Sequence, residues 1–176
     1  MSRLKSSELT PIQRMGRRNK HRGYSTEVQL VNFLKKWGIF AKRVKMSGAL
    51  KDLGIEQLRG DVQIEHNGKT IRVEVKSRKN LPRYVTNLYK RQGEVKKKPT
   101  AERVIKVKGL CHILDQDQFL EYLHHGTLPK TGVTIDKSDC TMLQEWFEQD
   151  ECQVVAMKEY NQRAWYFAVL TEEIKC

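Results

Sequence analysis

Apolar and polar residues alternate on both sides of Asn67-Gly68, with Val62 and Ile64 before it and Ile71, Val73 and Val75 after it. A period of two marks half-buried strands. Asn-Gly is the strongest short hairpin signal, because both central residues of a type I′ turn need positive φ. A two-residue turn also fixes the register, and this register sets Asp61 directly opposite Glu74. Lys76 lies two residues beyond Glu74 and so points to the same side of its strand.

Upstream the period changes. Leu30, Phe33, Leu34 and Trp37 follow the spacing of a buried helical stripe, Thr26 and Gln29 match a capping box, and Gly38 supplies a stop. This predicts a helix starting at Thr26, then a strand over 39–46. Downstream, Leu110 to Leu114 reads as a strand, followed by a helix from Asp115 to His125 with Phe119, Leu120 and Leu123 inward. Met142, Leu143, Trp146 and Phe147 form another helical stripe, and strands over 153–159 and 164–170 flank a turn at 161–163. Trp165, Tyr166 and Phe167 are expected in the core and at a dimer interface.

Charge adds a partner class. Of the net +12, residues 1–24 carry +6, 25–75 carry +3, 76–108 carry +10 and 109–176 carry −7. Cations concentrated before and just after the hairpin are the footprint of a polyphosphate partner. Residues 1–24 show no clear periodicity and read as a flexible basic arm, with Arg14, Arg17, Arg18, Lys20 and Arg22 available for phosphates. Arg78, Lys79 and the following basic stretch are candidate contacts as well, with Tyr84 and Tyr89 interleaved among cations. Pro82 and Pro99 argue against one continuous helix there.

Other classes recede. No apolar run is long enough to span a membrane and the N-terminus lacks a signal peptide's apolar core, so a cytoplasmic protein is expected. Cys111, Cys140, Cys152 and Cys176 are scattered without C-x-x-C spacing, which argues for free thiols and against a zinc site. At 176 residues the chain suits one domain over 25–176 behind the arm.

Two carboxylates facing each other on a sheet repel unless something cationic sits between them. A divalent metal with oxygen ligands is the natural occupant, and Mg²⁺ commonly takes one or two carboxylates plus phosphate and water. A lysine beside such a metal can hold a phosphate or an attacking water. The bland alternative is a solvated hairpin face with ordinary surface charges.

The elements Glu27, R-V-x-x-S-G (Arg43, Val44, Ser47, Gly48), Gly60-Asp61 and Glu74-Val75-Lys76, in this order, resemble the PD-(D/E)XK nuclease superfamily, and within it the archaeal and phage Holliday junction resolvases. Gly60-Asp61 stands where that superfamily often has Pro-Asp. The resemblance implies an α/β fold of restriction-endonuclease type, a mixed β-sheet flanked by helices. It implies Mg²⁺, with Mn²⁺ as substitute, held by Asp61, Glu74 and the Val75 carbonyl, with Glu27 reaching it directly or through water. It puts Lys76 in catalysis, Arg43 and Ser47 near the scissile phosphate, and the chain in a homodimer on four-way junctions. About 60 residues, 79–140, depart from the compact resolvase pattern and read as an insertion. A duplex endonuclease of restriction type and, from another class, a non-catalytic nucleic-acid-binding protein are the alternatives.

Overall fold

A computed structural model of the chain describes residues 10–44, 60–90, 104–126, 128, 132–160 and 162–171. Ser47 and Gly48 lie outside them. Among the described residues the chain is mixed α/β, with four α-helices and one eight-stranded sheet, consistent with the restriction-endonuclease-like architecture expected.

The elements in chain order are α1 (Pro11–Lys36), β1 (Phe40–Arg43), β2 (Val62–His66), β3 (Lys69–Arg78), α2 (Arg83–Lys90), β4 (Val104–Val107), β5 (Cys111–Asp115), α3 (Gln116–His125), β6 (Gly132–Ile135), α4 (Thr141–Asp150), β7 (Val154–Glu159) and β8 (Tyr166–Leu170). The sheet order is β1-β2-β3-β7-β8-β5-β4-β6. β3 runs parallel to β7 and β4 parallel to β6, while the other neighbours are antiparallel.

The hairpin forms in the expected register, with Val62 opposite Val73 and Ile64 opposite Ile71. Asn67 and Gly68 take φ of 49° and 73°, the left-handed values that a type I′ turn needs. Asp115 caps α3 as a capping box with Gln118, and α3 buries Phe119, Leu120 and Leu123.

Two layers of apolar side chains cover the two faces of the sheet. On one face Leu30 and Leu34 of α1 and Phe119 of α3 pack with Val62, Ile64, Val73, Ala156 and Phe167. Phe119 stacks on Phe167 with ring centroids 3.9 Å apart. On the other, Val85 of α2 and Leu143, Trp146 and Phe147 of α4 pack with Ile113, Val155, Met157 and Tyr166. Alternation along β3 therefore sends Val73 and Val75 toward α1, and Glu74 and Lys76 to the opposite side.

Expectations for the first helix change. The first helix starts at Pro11, fifteen residues before Thr26, so most of the segment read as an arm is helical. The capping box is Thr10 with Gln13, and Pro11 sits at the first helical position, where a missing N–H costs nothing. Thr26 instead donates its hydroxyl to the Arg22 carbonyl at 2.9 Å. Trp37 is 54% exposed, because the helix ends at Lys36 and Trp37 is the cap residue; Val31 takes its place in the buried stripe.

Within the stretch 79–140, read as an insertion, β4, β5 and β6 join the same sheet beyond β8. Trp165, Tyr166 and Phe167 are at most 7% exposed within one chain, so they are core residues with no surface left for a dimer interface. No helix among the described residues is long and apolar enough to cross a membrane.

Candidate active site at the end of the hairpin strands

The site sits where β2 begins and β3 approaches its end. Gly60 precedes β2 with φ of +75°, and a Cβ there would come within 3.2 Å of the Val73 carbonyl oxygen. Only glycine takes this conformation without strain. A proline, held near −65°, cannot adopt it.

Asp61 follows at once. Its N–H donates to the Val73 carbonyl at 3.0 Å, while Val62 is the ladder partner of Val73. Two residues thus address one, as at a β-bulge, a device that re-aims side chains at sheet rims. The expected direct opposition of Asp61 and Glu74 is corrected accordingly. The Asp61 carboxylate Oδ2 instead accepts the N–H of Val75 at 3.0 Å, next to Glu74 along the strand.

Glu74 is 8% exposed, and its Oε1 accepts from Lys76 Nζ at 2.7 Å. Lys76 Nζ lies 5.8 Å from the ring centroid of Trp146 and the Arg78 guanidinium 5.7 Å from it, so α4 supplies an aromatic floor beneath both cations.

Glu27 reaches the site from α1. It pairs with Nε of Arg43, whose guanidinium also lies 4.4 Å over the ring of Tyr24. Burial is the largest influence on the Glu27 carboxyl and raises its pKa; the hydrogen bond from Arg43 works against this, and the negative charge of Asp61 adds to it. Glu27 and Asp61 therefore share one electrostatic neighbourhood. Arg43, expected on the scissile phosphate, is engaged with this carboxylate.

Among the described residues no group of three or more His, Cys, Asp or Glu side chains stands together as a metal-binding set. The donor chemistry nonetheless suits a hard cation, since Glu27, Asp61 and Glu74 offer carboxylate oxygens. Glu27 is paired with Arg43 and Glu74 with Lys76.

Arg14, Arg17, Arg18, Lys20 and Arg22 are exposed along α1, and Arg78 and Lys79 are exposed after β3. Tyr84 turns inward, packed against the second core layer, and the side chain of Tyr89 lies outside the described set. Sequence reasoning missed three participants: Trp146 beneath Lys76, Tyr160 with the Arg22 guanidinium 4.1 Å over its ring, and Lys158. Lys158 was the findable one, because it follows the wholly apolar run Val154-Val155-Ala156-Met157. No protein-family model and no curated protein matches the chain.

Proposed function

We propose that the chain is a metal-dependent endodeoxyribonuclease acting on branched DNA, as a Holliday junction resolvase in the cytoplasm. The observation that carries this reading is the Asp61 carboxylate seated on the Val75 N–H at 3.0 Å, between Glu74 and Lys76, with Glu27 in electrostatic reach. A module that only binds phosphate gains nothing from three carboxylates inside a basic surface, because they repel the ligand.

Asp61, Glu74, Glu27 and the Val75 carbonyl would hold Mg²⁺, or Mn²⁺ in its place. When bound, the metal supplies Lewis acidity and a water of lowered pKa. Lys76, paired with Glu74, orients the attacking water and balances negative charge that develops on the phosphate. Arg43 shifts between Glu27 and a phosphate oxygen, for which its planar fork is suited. The water oxygen bonds phosphorus, the bridging P–O bond breaks, and the products are a phosphate monoester and a hydroxyl. Two copies in a symmetric dimer present two such sites to a four-way branch.

The test is incubation of the purified chain in Mg²⁺ with a labelled four-way junction and its matched linear duplex. Paired symmetric nicks confined to the junction support the whole reading. Cutting of both substrates replaces the junction claim with a duplex endonuclease, and DNA binding without cutting in Mg²⁺ or Mn²⁺ overturns the nuclease.

A further inference from the structure

The middle of α1, residues 18–29, faces the carboxyl ends of β3 and β7, and the space between holds two adjoining cavities. One, of about 310 Å³, is lined by Arg22 and Gly23 of α1, by residues 75–78 including Lys76, and by Tyr160. The other, of about 590 Å³, is lined by Arg18, Arg22, Gln29, Lys158 and Tyr160 among others. They share Arg22, Thr26, Ser77 and Tyr160, so they form one groove leading from Lys76 past Ser77 to Lys158.

Ser77 and Lys158 are direct partners in the parallel β3–β7 ladder. Lys158 shares the parity of Val154 and Ala156, which face α1, and its Nζ accordingly donates to Gln29 Oε1 at 2.6 Å. Lys76 leaves the sheet on the other side. The two lysines therefore stand at the same end of the sheet on opposite faces, and the groove crosses the strand ends between them.

We propose that this groove is a second phosphate-binding site, in which Lys158, Arg22 and Arg18 seat the nucleic-acid backbone next to the phosphate held at Lys76. The proposal rests on the nuclease reading of the Lys76 site.

Three features select a phosphodiester chain. Lys158 is partly desolvated, which lowers its pKa, and the recorded hydrogen-bond partner of its ammonium is a neutral amide. Its Nζ also lies 5.1 Å from the Trp165 ring centroid, and an entering anion would supply a full countercharge. The Arg22 guanidinium carbon lies 4.1 Å from the Tyr160 ring centroid, a contact that positions the cation without using its N–H donors. The groove also runs on to Lys76 and Arg78, so a threaded polyanion meets successive positive charges. Glu159 borders the groove as well, but its Oε1 is committed to the N–H of Leu81 at 2.9 Å. It steers the backbone toward the α1 wall.

The experiment measures binding of the full chain to a labelled four-way junction between about 50 and 200 mM salt, for wild type, Lys158→Gln, Lys158→Arg and the control Lys36→Gln. Glutamine keeps a hydrogen-bonding head near Gln29 and removes the charge. Lys158→Gln is expected to weaken binding about three- to tenfold and to make the log affinity against log salt slope shallower by about one. Lys158→Arg restores the slope and Lys36→Gln leaves it alone. Wild-type affinity and slope in Lys158→Gln, with an unchanged circular dichroism spectrum, overturn the proposal, and so does a wild type that binds no DNA. Cleavage by wild type, run in parallel, separates the two readings: a lost slope without any cleavage keeps the groove and discards the nuclease.

Discussion

The Asp61 carboxylate accepts the backbone N–H of Val75 at 3.0 Å, so an acid proposed to hold metal also satisfies the strand that carries Glu74 and Lys76. The two roles separate by substitution. Asp61→Asn keeps an acceptor for that N–H and loses only the charge, so its stability should stay within about 1 kcal/mol of wild type. Asp61→Ala leaves a part-buried N–H unmet and should cost about 1–3 kcal/mol. Both should lose cleavage. Denaturant unfolding beside a nicking assay checks the pair, and equal destabilisation by Asn and Ala would contradict the bond's structural role.

Gly60 controls where that carboxylate points. At φ of +75°, with the Val73 carbonyl 3.2 Å from any Cβ, Gly60→Ala should cost about 1–2 kcal/mol and shift Asp61. Gly60→Pro should cost more, since its ring fixes φ near −65°. The expected signature for Gly60→Ala is a fall in kcat larger than the change in DNA affinity, measured by single-turnover cleavage and direct binding.

Glu27 gives a pH signature. Burial, partly offset by Arg43 and reinforced by Asp61, raises its pKa above 4.5 in the folded chain, so the folded state holds this proton more tightly than the unfolded state. Its contribution to stability is then complete below the unfolded pKa and is lost as pH rises through the folded one. Glu27→Gln has no such loss and still offers an oxygen to Arg43. Without added metal, the Tm of Glu27→Gln should therefore gain on that of wild type as pH rises from about 4 to about 7. A Tm of Glu27→Gln that falls relative to wild type over this range would contradict the assigned burial.

Much of this was legible in sequence because it is local. Asn67-Gly68 and the flanking alternation determine a hairpin register that the structure reproduces, and Phe119, Leu120 and Leu123 mark the buried face of α3. The bulge at Asp61 was not legible, because it depends on a backbone bond to Val73 and on the conformation of Gly60, which no side-chain period encodes. The long α1 escaped for a related reason. Its first half buries nothing, so it shows no apolar stripe, and the Thr10-Pro11-Gln13 signal at its start is cap chemistry alone. Trp146 under Lys76 and Lys158 beside Ser77 are tertiary neighbours far apart in the chain, brought together by α4 packing on the sheet and by the parallel β3–β7 pairing.

The central claim is that the carboxylate paired with Lys76 serves hydrolysis and not binding. The most direct measurement compares wild type with Glu74→Ala for both cleavage and affinity on a four-way junction in Mg²⁺. The account predicts that cleavage disappears while the folded variant binds DNA as well as or better than wild type, because a negative charge has left a phosphate site. Cleavage that survives in Glu74→Ala, or binding and cleavage that fall together with loss of fold, would contradict it.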